Sequence, residues 1–223
     1  MQKLIDGIHK FQTDVVAPKR EFFGKMAKGQ SPETLFITCS DSRINPNLIT
    51  QTEPGELFII RNAGNIVPTD GAPVGGETAT IEYAVAALKV REIIVCGHTH
   101  CGAVDGLMNP SKLEGLPKVS QWLNHAETTR RVMLQNYKHL TGPALLNAAV
   151  QENVLTQIEH LRTQPSVAAG LSAGTLRLHA WVYKIETGDV FSYDPRERQF
   201  LPLTAVRTPV PTADGEPKQL RAI

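Results

Sequence analysis

Three cysteines, Cys39, Cys96 and Cys101, are the side chains of this sequence best suited to chemistry, and two of them stand beside other reactive groups. Cys39 opens the run Cys39-Ser40-Asp41-Ser42-Arg43, and Cys101 closes His98-Thr99-His100-Cys101. Two thiolates and an imidazole are soft or borderline donors that suit Zn2+, and three protein ligands leave the fourth tetrahedral position open, as in catalytic rather than structural zinc. Asp41 could then accept a hydrogen bond from water at the open position, while Arg43 grips its carboxylate bidentately and keeps it ionised. Taken alone, the same run also fits a polar turn in which Asp41 and Ser42 cap a helix starting near Pro46 and Arg43 is solvated. Free cysteine is equally at home as a small buried apolar residue.

For these donors to meet, the strand end at Cys39 and the segment at His98 and Cys101 must converge. Residues 34–39 (TLFITC), 56–60 (ELFII) and 92–96 (EIIVC) are short apolar β-rich runs. A Gly/Pro-rich loop and a helix starting near Gly76, with Ile81, Ala84, Val85 and Leu88 facing the core, separate the last two runs. Strands alternating with helices predict βαβ units and a parallel sheet, whose carboxyl-end loops converge in one crevice. Residues 117–163 read as helical, with Trp122, Val132, Leu134 and Leu140 in one part and Val150, Val154, Ile158 and Leu161 in another. Residues 176–185 begin with strand alternation, Thr187-Gly188 makes a turn and VFSY follows, a hairpin that adds an antiparallel edge strand. The expected fold class is therefore α/β: a central mostly parallel β-sheet with an antiparallel edge strand, flanked by helices. At the N-terminus Leu4, Ile8, Phe11 and Val15 mark an amphipathic helix, broken at Pro18 and resuming through Phe22, Phe23 and Met26. Residues 1–203 read as one catalytic domain whose first thirty residues form a helical arm. From 204 to 223 the chain has no aromatic residue and carries Pro209, Pro211 and Pro217, as an extended or disordered tail would.

Composition narrows the function. The 223 residues sum to a net charge of +1, which offers no broad field for nucleic acid or an anionic membrane. With 41% hydrophobic and 20% charged residues the chain can build a core, yet no run reaches the ~18 apolar residues of a transmembrane helix. Asp6 and His9 interrupt what would be the apolar centre of a secretory signal, and an odd, clustered cysteine set fits a reducing compartment, so the expected location is cytoplasmic. Cys96 reads as a core thiol, and His100 as a solvent-facing residue or a hydrogen-bonding neighbour of the ligands rather than a fourth ligand. Trp122 and Trp181 read as core, and Glu127 with Arg130 and Arg131 as a solvated helix face. The glycine loop lacks the order needed for nucleotide binding.

In Cys39-x-Asp41-x-Arg43 followed by His98-x-x-Cys101-Gly102, with Arg61 to Asn65 (RNAGN) between them, the sequence resembles the β-class carbonic anhydrases of the plant-like subgroup in their bacterial form. The likeness runs from about Leu4 to about Tyr193. It implies one zinc ion per chain on Cys39, His98 and Cys101, and Asp41 and Arg43 as the catalytic dyad. It further implies reversible hydration of carbon dioxide to bicarbonate by attack of zinc-bound hydroxide. Gln30 would donate a hydrogen bond to bicarbonate, Gly102 would lie at the substrate side, and Phe58 and Tyr83 would line the pocket from a partner subunit, with Ile44 and Val67 as further apolar candidates. A homodimer or higher even-numbered homo-oligomer follows, its helical arm wrapped on the neighbour; a bacterial microcompartment within the cytoplasm stays open as its location. Three rivals remain: hydrolysis of carbonyl sulfide or carbon disulfide on the same scaffold, a zinc scaffold without activity, and a thiol redox sensor.

Overall fold

Three apolar runs pair in parallel at the centre of the protein, whose computed structural model describes residues 1–203. The tail expected over 204–223 lies outside the described residues. Strand β1 (Thr34–Cys39) is buried from Leu35 onward, as a strand covered on both faces must be. It pairs on one side with β2 (Leu57–Asn62) and on the other with β3 (Glu92–His98), both parallel. Beyond β3 comes β4 (Arg177–Tyr183), also parallel, and then the antiparallel β5 (Val190–Asp194) and β6 (Gln199–Pro202). The order β2-β1-β3-β4-β5-β6 matches the expected mixed sheet and sets β1 and β3 side by side, so Cys39 and His98 leave the sheet at the same end.

Two strands run further than their apolar cores predict. β2 continues to Asn62, which pairs with Cys39, and β3 continues through Gly97 to His98. Gly97 permits this: a Cβ there would stand 2.7 Å from Cγ2 of Val154 on the helix packed above. The short β6 lacks the length for a periodic signal and was not expected from the sequence.

Helix α1 (Gln2–Lys10) passes through a π-helical turn (Phe11–Val16) and breaks before α2 (Arg20–Met26), matching the interruption at Pro18. Leu4 and Ile8 stay 65% and 57% exposed, so among the described residues most of this apolar face is left uncovered. A five-residue helix, α3 (Pro46–Thr50), follows β1, and α4 (Gly76–Glu82) starts where expected, with Ile81 buried and Ala84 buried in the π-helical turn after it. α5 (Gly102–Met108) begins directly after Cys101. The stretch 117–163 divides into α6 (Pro117–Leu123), α7 (Glu127–Asn136) and α8 (Gly142–Thr163), and α9 (Pro165–Ser172), not read from the sequence, follows. Proline opens α6, α8 and α9, where its missing N–H costs nothing.

Helix α8 presents two buried rows. Val150, Val154, Ile158 and Leu161 enter the core as their spacing predicts. A polar row, Asn153, Gln157, His160 and Gln164 just past the helix end, is also buried and holds the loop after β2. Asn153 Nδ2 donates to Gly64 O at 2.9 Å, Val67 N donates to Gln157 Oε1 at 2.9 Å, and Gln164 Nε2 donates to Pro68 O at 2.9 Å. Burial lowers the His160 pKa, favouring the neutral ring, whose Nδ1 donates to Val67 O at 2.8 Å.

Candidate metal centre

Cys39 ends β1, His98 ends β3, and Cys101 is the residue from which α5 starts. Their ligand-type atoms all lie within 4.8 Å of one another, and all three residues are buried. The His98 ring is oriented from behind: Nδ1 lies 2.8 Å from the carbonyl oxygen of Thr99, which can only accept, so Nδ1 carries the proton. Nε2 is left with a lone pair, buried, and without a hydrogen-bond partner. Leaving such an atom unsatisfied costs about 1–3 kcal/mol, and a cation held between it and the two sulfurs would remove that cost. The donor set therefore fits zinc in identity, number and burial.

The two thiols influence each other. The neighbouring Cys101 thiol, as a hydrogen-bond donor, is the main cause that brings the Cys39 thiol down to about 4; burial opposes this, and His98, the Gly64 N–H and the Asp41 backbone assist. The Gly64 N–H stands 3.4 Å from Cys39 Sγ. Cys101 moves the other way, pushed well up by the same bond to Cys39 and then by burial. The two thiols are thus driven in opposite directions, and a dication bound by both sulfurs would hold both as thiolates. Cys96 is different: burial alone drives its thiol up to about 12, and it packs with Phe36 and Ile94, as expected of a core thiol.

Beside the cluster, Arg43 holds Asp41 with both arms of its guanidinium. Nε donates to Oδ1 at 2.9 Å, Nη2 donates to Oδ2 at 2.7 Å, and the Arg43 backbone N–H adds a third bond at 2.9 Å. These bonds, the side-chain pair first, hold the Asp41 carboxyl well below the usual carboxylate range. Oδ2 lies 3.8 Å from His98 Nε2, too far for a direct hydrogen bond. The capping reading of this turn is corrected: Asn45 caps α3, its Oδ1 accepting from Leu48 N at 3.2 Å, while Asp41 and Arg43 face the cluster. Arg61, noted in the sequence only within its motif, fastens the segment from below by donating to Cys39 O at 3.1 Å and Asp41 O at 2.7 Å.

A carbonic anhydrase family profile matches residues 34–190. The carbonic anhydrase of Synechocystis sp. is 53% identical over 195 residues, covering 87% of this chain and 71% of that protein. Among solved structures, that of the β-carbonic anhydrase CcaA superposes with a TM-score of 0.89 at 51% identity, covering 91% of each chain. The chain belongs to the β-carbonic anhydrase family. A structure of tetrameric β-carbonic anhydrases from Sordaria macrospora is also similar, with a TM-score of 0.77 at 32% identity over 86% of this chain and 95% of that one.

In this carbonic anhydrase the remaining expected site residues are placed differently relative to the sulfur–imidazole cluster. Phe58 faces Leu35 across β1 and β2, whereas Asn62 faces Cys39, so Phe58 lies about 13 Å back from the strand end. Its ring centroid is 6.1 Å from that of Tyr83, which is 50% exposed in the π-helical turn (Tyr83–Ala87). The fold thus joins Phe58 to Tyr83, with Phe58 set back from the strand end that carries Cys39. Gln30 is exposed between α2 and β1, and Gly102 is the exposed first residue of α5. Ile44 and Val67 are both buried, Val67 in the same core as Cys39 and Cys101. His100 is half-exposed and its Nε2 meets Glu186, which fits a role outside the donor set.

Proposed function

We propose that this carbonic anhydrase hydrates carbon dioxide reversibly to bicarbonate, using one zinc ion per chain held by Cys39 Sγ, His98 Nε2 and Cys101 Sγ. The observation that carries the reading is the buried, unpartnered Nε2 of His98 facing two sulfurs. Zinc in such a site supplies Lewis acidity, which lowers the pKa of water toward ~7 and makes a nucleophile available near neutral pH.

The protein's own part is orientation. Asp41, pinned by Arg43, has one direction in which its Oδ2 can accept a hydrogen bond from the attacking water. Because its carboxyl sits so low on the pH scale, it aims that water without keeping its proton. Two thiolates neutralise the formal charge of a dication, so the activity should rise toward alkaline pH. Phe58 and Tyr83, placed together with Phe58 set back from the strand end of Cys39, are assigned to the apolar pocket of a second copy, with Gln30 donating to bicarbonate and Gly102 at the substrate side.

That assignment requires a homodimer or a higher even-numbered assembly, and the exposed apolar face of α1 would pack on the neighbour. The fungal tetramers support such an assembly. Residues 1–203 are taken as the catalytic unit. No described helix is long and apolar enough to cross a membrane, and three free thiols support a cytoplasmic location.

Metal analysis joined to stopped-flow carbon dioxide hydration across pH tests the reading. The expected result is one zinc per chain and a rate that climbs with pH. Full activity in a chain stripped of metal would overturn it.

A further inference from the structure

The geometry points to Glu186, in the turn between β4 and β5, as a positioning residue that fixes both the imidazole of His98 and the guanidinium of Arg43 through the backbone of Thr99 and His100. The inference rests on the zinc reading above and extends it to a residue remote from the donors in sequence.

The link begins at two carbonyls. Thr99 O accepts from His98 Nδ1 at 2.8 Å and so sets the tilt and tautomer of the ring. The next carbonyl, His100 O, accepts from Arg43 Nη2 at 3.1 Å, the same nitrogen that binds Asp41 Oδ2. Whatever holds Thr99 and His100 therefore aims a proposed ligand and the dyad together.

What holds them is the β4–β5 turn. Thr99 N donates to Tyr183 O at 3.0 Å, and Ile185 N donates to Thr99 Oγ1 at 3.1 Å. That hydroxyl then donates to Glu186 Oε2 at 2.7 Å, while Glu186 Oε1 meets His100 Nε2. One carboxylate thus bridges the side chains of both residues whose carbonyls do the aiming. His100 needs such support, because its φ of +55° is a left-handed conformation that costs free energy for a residue bearing a Cβ. Thr99 is buried, so its hydroxyl has no ready substitute partner in water. The Glu186 carboxyl is held down to about 2, chiefly by the Thr99 hydroxyl and then by its own backbone N–H, with His100 contributing, so it is an ionised acceptor across the working pH range. An exposed His–Glu pair by itself is worth little; the buried hydroxyl and the two carbonyls behind it give this one a task.

The test compares the zinc-loaded wild type with Glu186→Ala, Glu186→Gln, Thr99→Val and the double variant Glu186→Ala/Thr99→Val. Zinc release into excess chelator, the visible spectrum of the cobalt-substituted proteins, and kcat and KM for carbon dioxide are read for each. Partners of this kind around metal ligands typically govern affinity or activity by a factor of ten or more, so Glu186→Ala should speed zinc release about tenfold and lower kcat with KM nearly constant. Glu186→Gln, whose amide oxygen still accepts from Thr99, should restore most of both. Because the two residues share the bond through the Thr99 hydroxyl, the effects in the double variant should fall short of the product of the single ones. Wild-type release rate, spectrum and kcat in Glu186→Ala would overturn the proposal, as would single effects that multiply in the double variant. A wild type that takes up no zinc on Cys39, His98 and Cys101 would instead bring down the zinc reading and this inference with it. Normal loading with unchanged release removes the role of Glu186 alone.

Discussion

The strand β3 carries a histidine–carboxylate neighbourhood at each of its two ends, and the two are built differently. At the first end Glu92 accepts from His179 Nε2 at 2.6 Å and pairs with Arg177. At the far end His98 Nε2 stands 3.8 Å from Asp41 Oδ2, and Asp41 spends its oxygens on Arg43 instead. Both ends hold an imidazole, a carboxylate and an arginine, yet every ring nitrogen that matters at the first end is bonded while one at the second is buried and open. Residue types alone therefore do not separate a cross-strand brace from a reactive site. The unsatisfied atom does when further donors stand beside it: His98 Nε2 is buried, without a hydrogen-bond partner, and within 4.8 Å of two sulfurs.

The comparison can be broken by substitution. Cys101→Ser should have the largest effect: zinc is lost or greatly weakened and carbon dioxide hydration falls to background, checked by metal analysis beside stopped-flow rates. Full metal content in that variant would remove Cys101 from the donor set. Asp41→Asn comes next, keeping zinc while kcat drops about 100-fold, a magnitude typical of losing an oriented polar contact to the reacting atoms. Gly64→Ala should be milder in activity and plain in stability. The residue has φ +81°, and a Cβ would stand 3.2 Å from Ala103 Cβ, so a loss of about 1–2 kcal/mol in denaturant unfolding is expected.

The smallest effect belongs to the other end of the strand. Burial pushes the Glu92 carboxyl up, but the bonds from Arg177 and His179 outweigh it and hold the pKa below its ordinary value. Such a lowered acid stabilises the fold above its unfolded pKa of ~4.3, and the gain disappears as pH falls through the folded value. Glu92→Gln should therefore leave kcat/KM nearly unchanged and lower Tm slightly at pH 7, with the gap from wild type closing below about pH 4. A loss of hydration as deep as that of Asp41→Asn would erase the distinction between the two ends.

Much of the architecture was legible because its signals are local. The runs 34–39 and 92–96 are mostly apolar and β-rich, and Cys39, Asp41 and Arg43 lie so close in sequence that their chemistry can be read as one unit. The hidden parts depend on partners far along the chain. Gly97 ends the apolar run of β3 yet keeps the strand going, because its missing Cβ makes room for Val154. Asn153, Gln157 and His160 have the spacing of a solvated helix face, but a loop covers them and uses every one. Arg61 looks like any exposed strand residue until its two carbonyl acceptors are in place. Asp41 and Asn45 are both good capping types, and only the orientation of the turn decides between them.

Helix α8 ties the sulfur chemistry to the unfolding behaviour of the protein. Asn153 holds the carbonyl of Gly64, and the N–H of the same glycine reaches Cys39 Sγ. Melting the middle turns of that helix would strip the thiol of its donor in the same event that opens the core around Val154. Thiol reactivity and amide hydrogen exchange along α8 should accordingly rise together under denaturing stress, as two reports of a single cooperative opening.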